Sequence, residues 1–311
     1  MPVPACHADV GQPNSRYGHQ LPLLTVDGPP MDTGPVQMST DDPFKLDGRN
    51  AVITGGGGNI GGAIAHRLAA QGASVVLVDI NPGHLELMAE TIAKAGGVAH
   101  TVVGDVSSPE GVDAAVRGAL ERVPQIDILV NNAGRGSHTF PEDLSYEEWN
   151  AVFQLNLTGY FLMAQAVGCQ MIDRGIRGAM VMTSSTCSFV AMGRGNFAYS
   201  VSKAGVNQLV RELALEWGCF GIRVNAIEPC QVDAPSMDDL LARDDPSGGD
   251  LRHRVLGGIP LGRLATAEDM AGPVAFLVSD AAAMVTGTIL PVDGGNLACN
   301  AASSIRSPVS A

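Results

Sequence analysis

The sequence is short of positive charge. It holds 19 Lys and Arg residues against 32 Asp and Glu residues, which gives a formal net charge of −13. Nucleic-acid binding is therefore not expected, because contacts to phosphates need a basic face. The same charge disfavours binding to an anionic membrane surface.

Paired cysteines and long apolar runs are also missing. The six cysteines are scattered and form no CxxC pair, which indicates reduced thiols of a cytoplasmic protein and neither a metal site nor a disulfide framework. The longest uncharged stretch, 150–172, is interrupted by polar residues such as Asn156 and Gln165, so it predicts a buried or interface helix and no membrane span. No basic segment followed by an apolar one opens the chain, so no secretory signal is expected.

A glycine-rich stretch, AVITGGGGNIGG, occupies residues 51–62. Residues 51–54 form an apolar, β-branched run that predicts a buried strand, and an apolar helical pattern begins at Asn59. A strand, a glycine turn and a helix N-terminus together make a cradle for a pyrophosphate, because free backbone N–H groups and the helix dipole favour an anion. Taken alone, the turn is equally typical of a flexible loop.

A second apolar strand, 74–78, leads into Asp79. A dinucleotide-binding unit places a carboxylate about 20 residues beyond its glycines to bind the adenosine ribose, and the alternative is a surface turn residue. A carboxylate there repels a 2′-phosphate, and neither the glycine turn nor Ile80, the next residue, supplies a cation. The pattern predicts NAD(H) in preference to NADP(H).

Strand and helix patterns alternate along the chain. Further strands are predicted at 98–103, 126–130, 179–183, 223–227 and 288–292, and one continuous helix is predicted over 146–171. This alternation predicts an α/β fold, a Rossmann-type doubly wound parallel β-sheet flanked by helices, in a single domain. Ligands bind such sheets at the carboxyl ends of the strands.

That domain spans 44–300, and its polar stretch around 233–257 is predicted to be a mobile flap over the substrate. Residues 1–43 lack apolar periodicity and predict a disordered N-terminal extension. The alternative is that this segment comes from a start site assigned too far upstream. Residues 301–311 are predicted to be a disordered tail.

Tyr199 and Lys203 are four residues apart in one predicted helix, so they share a face. Hydride transfer at a carbinol carbon needs a partner that moves the hydroxyl proton, and a nearby ammonium lowers the pKa of a tyrosine. An ordinary surface pair has the same spacing, so this pair alone does not distinguish a catalytic site from a helix surface.

Nine motifs together resemble the short-chain dehydrogenase/reductase family over 44–296, about four-fifths of the chain. The resemblance implies an oxidoreductase that interconverts a secondary alcohol and a ketone, usually a homotetramer, or a homodimer, built by pairing its long helices. Besides Asp79, the motifs are TGGGGNIG (54–61), GDVS (104–107), NNAG (131–134), QLNLTG (154–159), MTSST (182–186), YSVSK (199–203), GIRVNAIEP (221–229) and TGTILPVDGG (286–295).

The resemblance also implies roles for individual residues. Tyr199 is the expected acid/base, Lys203 lowers its pKa and holds the nicotinamide ribose, Ser185 hydrogen-bonds the substrate oxygen, and Asn156 holds a water that links Lys203 to solvent. The expected cofactor-binding residues are Gly55, Gly58, Asn59, Ile60, Gly61, Asp79, Asp105, Val106, Asn132, Ala133, Gly134, Tyr199, Lys203, Pro229 and Val232.

Some positions depart from the family pattern. Asn59 stands where the middle glycine is usual, and Cys230 and Ala234 replace a glycine and a threonine that contacts the cofactor. The interval between the strand-end serine and Tyr199 is one residue longer than is usual in the family. Counting back from Tyr199 therefore assigns the substrate-binding hydroxyl to Thr186, whereas aligning the strand assigns it to Ser185. We favour Ser185, because strand register constrains geometry more than loop length does.

The substrate is the least defined feature. Arg135 and Arg194 could bind an anionic group such as a sugar-acid carboxylate, or they are solvated loop charges. A polyol or sugar acid is the first hypothesis; a 3-oxoacyl thioester reductase using NADPH and a non-catalytic dinucleotide-binding scaffold are the alternatives. The candidate pocket residues are Arg135, His138, Arg194 and Cys230, with Phe189, Met192 and the flap residues Arg252, His253 and Arg254 beside them.

Overall fold

One parallel sheet organises the protein. In the computed structural model, which describes residues 42–234 and 251–299, its seven strands follow the order β3-β2-β1-β4-β5-β6-β7. The strands are β1 (Asn50–Thr54), β2 (Ser74–Asp79), β3 (Val98–Val103), β4 (Ile128–Asn131), β5 (Ala179–Thr183), β6 (Arg223–Pro229) and β7 (Ile289–Val292). The predicted doubly wound parallel sheet is confirmed, and its order reverses between β1 and β4.

Helices connect the strands and cover both faces of the sheet. They are α1 (Asn59–Ala70), α2 (Pro82–Lys94), α3 (Pro109–Leu120), α4 (Tyr146–Phe153), α5 (Gly159–Arg174), α6 (Phe197–Trp217), α7 (Leu251–Gly257) and α8 (Ala267–Val278). Several begin where the sequence places a capping side chain: the Ser108 hydroxyl accepts from the N–H of Gly111 at α3, and Thr266 and Asp269 form a reciprocal capping box at α8. Such caps satisfy N–H groups that have no partner inside the helix.

The core lies on the two faces of the sheet. Neighbouring residues of a strand point to opposite sides: Val52 packs in the cluster with α3, α5 and α6, whereas Ile53 packs in the cluster with α1 and α8. Both residues are fully buried. The apolar runs without polar alternation in β1 and β5 are therefore explained by burial on both faces.

The predicted continuous helix over 146–171 is wrong in its middle. Between α4 and α5 the chain makes a π-helical turn, Gln154–Thr158, and α5 then continues to Arg174. The cause is a tertiary contact: the Asn156 side chain exchanges two hydrogen bonds with the backbone of Arg135. Single π turns inside α-helices are frequent at functional sites.

Three predicted segments fall wholly or partly outside the described residues. Chain contacts separate Met1–Pro43 from Phe44–Ala311, and of the first unit only residues 42–43 are described. Of the predicted flap, residues 235–250 lie outside, while its last part forms α7. The predicted tail, 301–311, also lies outside. Within the described ranges, no helix combines the length and the apolar character that a membrane crossing needs.

Candidate active site

The glycine turn leaves the N-terminus of α1 open. Gly58 is the N-cap residue and offers no side chain to the first N–H groups of the helix. A Cβ at Gly61 would lie 2.2 Å from the carbonyl oxygen of Gly55, and Gly55 has φ +65°. Only glycine fits both positions, so the turn brings backbone close to any group bound at this helix end. The uncapped N–H groups there favour an anion.

Asn59 occupies the position at which the sequence departs from the family pattern. Its side chain donates a hydrogen bond to the carbonyl oxygen of Asp233, with N···O 3.0 Å. The substitution therefore ties the glycine turn to the segment that follows β6, and it leaves the turn intact.

Asp79 ends β2 beside the glycine turn. Its carboxylate accepts hydrogen bonds from the N–H of Gly57 at 3.2 Å and from the N–H of Asn81 at 3.0 Å. Ile80, the next residue, is 70% exposed. A carboxylate has about four acceptor positions, so Asp79 keeps capacity for further donors such as ribose hydroxyls.

The ends of β1, β4 and β5 are joined by side chains. The hydroxyl of Thr54 accepts from the N–H groups of Asn132 and Ala133, at 2.9 and 3.1 Å. The side chain of Asn132 accepts from the hydroxyl of Thr183 at 3.2 Å. These bonds hold the NNAG motif at the carboxyl edge of the sheet, where the sequence predicts it.

Lys203 is buried beneath this edge. It is 2% exposed, and its Nζ donates to the carbonyl oxygen of Thr183 at 2.7 Å and to the hydroxyl of Tyr160 at 3.2 Å. Burial lowers the pKa of Lys203 to about 7, and the thiol of Cys187 opposes this shift. Lys203 can therefore carry or release a proton near neutral pH.

Tyr199 lies on the same face of α6, with its ring centroid 5.8 Å from the Nζ of Lys203. Burial raises the pKa of Tyr199 to about 12, Cys187 adds to the rise, and a hydrogen bond with Ser185 opposes it. The sequence led us to expect a lowered pKa. The difference arises because the Lys203 ammonium is directed to Thr183 and Tyr160, while burial disfavours the phenolate.

Ser185, and not Thr186, makes the hydrogen bond with Tyr199. Ser185 is the N-cap of a short 3-10 turn, Thr186–Ser188, and both Ser185 and Thr186 are buried at the cavity wall. Ser185, the residue that the strand alignment favours, therefore lies beside Tyr199.

Asn156 lies where three elements meet. Besides its bonds to Arg135, its Nδ2 donates to the hydroxyl of Ser202 at 3.2 Å, and that hydroxyl donates to the carbonyl oxygen of Tyr199 at 2.7 Å. A Cβ placed on Gly134 would lie 3.3 Å from Asn156 Oδ1 and 3.7 Å from Lys203 Nζ. Asn156 and Lys203 therefore flank one spot at the end of β4.

Two buried residues near the site were not predicted from the sequence. Tyr160 is 1% exposed and binds both Lys203 and the carbonyl oxygen of Thr183. Glu228 is 3% exposed and accepts from Ser188 and from Asn207, whose side chain also accepts from Ser184 at 2.6 Å. An acidic residue directly after the apolar pair Ala226 and Ile227 in β6 was the available signal for this network.

A cavity of about 490 Å³ opens at this edge of the sheet. Of the predicted site residues, its wall includes Asn59, Ile60, Asn132, Gly134, Arg135, His138, Ser185, Arg194, Tyr199, Lys203, Pro229, Cys230 and Val232. The remaining predicted residues border it or lie farther away: Gly55, Gly58 and Gly61 in the turn, Asp79 at the end of β2, the exposed Asp105, the buried Val106, Ala133 and Asn156.

No disulfide joins the cysteines within 42–234 and 251–299, which are Cys169, Cys187, Cys219, Cys230 and Cys299, and Cys6 lies outside the described residues. Across 42–234 and 251–299, no group of three or more His, Cys, Asp or Glu side chains could hold a metal ion.

Comparison with known proteins gives consistent matches. Residues 57–296 match a family model described as enoyl-(acyl carrier protein) reductase. The chain is 39% identical to D-threitol dehydrogenase of Mycolicibacterium smegmatis over 261 residues, which cover 83% of this chain and 96% of that protein.

Solved structures match over the same range. A protein from Beutenbergia cavernae, assigned as an NAD(P)-dependent gluconate 5-dehydrogenase and holding NADP at low occupancy, is 41% identical with a TM-score of 0.76, covering 83% of this chain and 100% of that chain. NAD⁺-bound xylitol dehydrogenase is 32% identical with a TM-score of 0.75, covering 81% and 100%. With these matches added to the motifs and the geometry, the chain belongs to the short-chain dehydrogenase/reductase family.

Proposed function

We propose that the protein is an NAD-dependent oxidoreductase that interconverts a secondary alcohol and a ketone on a polyol or sugar-acid substrate. The observation that carries the proposal is one cavity wall that contains Ser185, Tyr199 and Lys203 together with Asn59 and Ile60 of the glycine turn. Proton-transfer groups and a dinucleotide cradle thus face the same space.

The chain's own residues handle the proton. In the oxidation direction the reactive form of Tyr199 is the phenolate, which takes the hydroxyl proton of the substrate, and in reduction the Tyr199 phenol returns that proton. Ser185 hydrogen-bonds the substrate oxygen and keeps it against Tyr199. Lys203, with a pKa of about 7, changes protonation state near neutral pH, and Asn156, which flanks the same spot, holds the water that connects it to solvent.

The residues present fit a nicotinamide dinucleotide. The uncapped N-terminus of α1 suits a pyrophosphate, and the close approach at Gly61 leaves backbone exposed to it. When bound, the dinucleotide supplies the hydride acceptor or donor. The residues that would hold it are those of the glycine turn, Asp79, Asp105, Val106, Asn132, Ala133, Gly134, Tyr199, Lys203, Pro229 and Val232.

The preference for NAD(H) rests on this chain's own residues, since the matched structures divide between NADP and NAD⁺. The Asp79 carboxylate faces the glycine turn, where it accepts bonds from ribose hydroxyls and repels a 2′-phosphate.

Titration with NADH and with NADPH, followed by nicotinamide fluorescence, tests the cofactor part of the proposal. We expect NADH to bind at least about 10-fold more tightly, and Asp79→Ala to lose most of this discrimination. The matched control is Asp173→Ala, which removes an exposed carboxylate in the last turn of α5. A preference of the unmodified protein for NADPH would refute the Asp79 argument, and binding of neither would refute the oxidoreductase itself.

The reaction is tested by oxidation of a panel of polyols and sugar acids with NAD⁺. The alternative with an observation in its favour is reduction of an acyl thioester, because the matching family model carries a reductase description. Turnover of a 3-oxoacyl thioester with NADPH, and none of any polyol or sugar acid with NAD⁺, would favour that alternative.

We also propose a cytoplasmic homotetramer that pairs α5 and α6. Apolar side chains are exposed on these helices, including Phe161 at 40% and Leu215 at 77%, and exposed apolar faces are typical of interfaces. Light scattering after gel filtration tests the assembly: a mass of four chains is expected, and a monomer at micromolar concentration would contradict it. Cell fractionation tests the compartment.

A further inference from the structure

The wall of the main cavity has a charge that the chain as a whole does not. The chain carries a net charge of −13, yet the described residues that line the cavity include Arg135, Arg194 and Lys203 and no Asp or Glu. A second cavity of about 430 Å³ shares Met192, Arg194, Gln231 and Val255 with it, adds Arg254, and also has no acidic residue in its described wall. A cavity with one sign of charge attracts the opposite sign.

Arg194 is held in a conformation that non-glycine residues avoid. Its φ is +57°, and it lies between Gly193 at +66° and Gly195 at +75°, so three successive residues are left-handed. The left-handed conformation is unfavourable for a residue that carries a Cβ. Such strain persists only where the surrounding structure imposes it, and it is concentrated at ligand sites.

The neighbouring loop imposes this conformation. A Cβ on Gly195 would lie 2.4 Å from the backbone carbon of His138, so the two loops touch backbone to backbone. The 137–139 loop is in turn tied to α4, because the hydroxyls of Ser137 and Thr139 donate to the carboxylate of Glu148 at 2.9 to 3.1 Å. Arg194 is therefore presented by a supported turn.

The guanidinium of Arg194 has no hydrogen bond or ion pair with any described residue, and neither does that of Arg135. Arg263 shows the contrast, since its two terminal nitrogens bind the carboxylate of Asp269 at 2.6 and 2.9 Å. An arginine offers a fork of donors that matches a carboxylate. At Arg194 that fork is available to a ligand in the cavity.

Gln231 adds an acceptor to the same wall. Its Oε1 is buried and has no hydrogen-bond partner among the described residues, and Gln231 lines both cavities beside Arg194. A buried acceptor without a partner is costly, and a ligand hydroxyl would satisfy it.

From these features we propose that Arg194 binds the carboxylate of a polyhydroxylated acid, so that the preferred substrates are sugar acids and not neutral polyols. This inference rests on the proposed function and assigns the substrate class of the same cavity. The acid retains the hydroxyls that Gln231 and Ser185 bind, and the carboxylate lies away from the carbon that is oxidised.

Matched substrate pairs test the proposal. D-gluconate and D-glucitol differ only in a carboxylate against a hydroxymethyl group, as do D-threonate and D-threitol. We expect kcat/KM with NAD⁺ to be about 10-fold or more higher for the acid of the better pair, since bonds to charged groups are the strong ones. The KM of the acid should rise with salt concentration, because salt screens the attraction between the acid and the exposed Arg194. D-glucitol 6-phosphate is the comparison for a phosphate, and a clear preference for it would overturn the carboxylate assignment.

Arg194→Asn is the decisive variant, because asparagine tolerates the left-handed conformation and removes the charge. We expect the ratio of kcat/KM for acid over polyol to fall about 10- to 100-fold, mainly through KM. Arg194→Lys should restore part of the ratio. Arg177→Asn, at an exposed arginine before β5, is the control. If Arg194→Asn lowers kcat/KM for the acid and for the polyol by the same factor, the role of Arg194 is structural and the proposal is wrong.

A binding measurement separates this proposal from the reaction. Calorimetric titration of D-gluconate into the complex of the protein with NADH should show binding that Arg194→Asn weakens. If that holds while no compound is oxidised, the anion site stands and the proposed reaction fails. If polyols are oxidised but D-gluconate does not bind, the reaction stands and the anion site fails.

Discussion

Replacing the buried Lys203 by Met should change how stability depends on pH. Burial lowers the pKa of Lys203 to about 7 in the folded protein, against about 10.4 in an unfolded chain. Between these values the unfolded chain binds the extra proton, so the free energy of unfolding rises with pH in this window and is lost as pH falls towards 7.

The size of the effect follows from the two pKa values. Each pH unit inside the window adds up to about 1.4 kcal/mol to the free energy of unfolding. Because Lys203 is still half protonated at pH 7, the gain between pH 7 and pH 9 is about 2 kcal/mol. Lys203→Met removes the titrating group. The unmodified protein should therefore gain about 2 kcal/mol over the variant across this range, whatever constant offset the lost bonds to Thr183 and Tyr160 add.

Urea unfolding of both proteins at pH 7, 8 and 9 measures this difference, at one protein concentration and without dinucleotide. The control is Lys94→Met, which removes a lysine whose side chain is 75% exposed and pairs with Glu90 on the surface of α2. It should follow the unmodified protein at each pH. If the free energy of unfolding changes with pH in the same way for Lys203→Met and for the unmodified protein, the pKa of Lys203 is not lowered by burial.

Two further substitutions test the turn and the buried network. Gly61→Ala should weaken NADH binding about 10-fold or more and lower Tm, because its Cβ meets the Gly55 carbonyl oxygen at 2.2 Å; Gly272→Ala in α8, where nothing lies within 4 Å, should do neither, and equal NADH affinity in all three proteins would contradict the cradle. Asn207→Ala leaves the Glu228 carboxylate and the Ser184 hydroxyl each short of a partner, so urea unfolding should show a loss of about 2–4 kcal/mol, and a loss below about 0.5 kcal/mol would show that the network contributes little.

The sequence predicted what depends on local pattern. The strand before the glycine turn and the carboxylate at Asp79 both arise from residues close together in the chain, and the structure has them where expected. The alternation of strands and helices was sufficient for the parallel sheet because crossover connections are constrained in hand and length.

What the sequence did not predict depends on contacts between distant segments. The π turn forms because Asn156 bonds to the backbone of Arg135, 21 residues earlier, and helical periodicity carries no sign of that contact. Tyr160 looked like one more apolar residue of α5, and only the fold places its hydroxyl against Lys203. The direction of the Tyr199 pKa was missed for the same reason, since burial is a tertiary property.

The most direct test of the account is Tyr199→Phe, assayed with the best secondary alcohol and NAD⁺ and titrated with NADH. The substitution keeps the ring on α6 and removes the oxygen that bonds to Ser185. We predict a fall in kcat of about 10²- to 10⁴-fold, the usual size of an acid/base contribution, with NADH affinity unchanged within about 3-fold. Full turnover in the variant would contradict Tyr199 as the acid/base and with it the proposed mechanism.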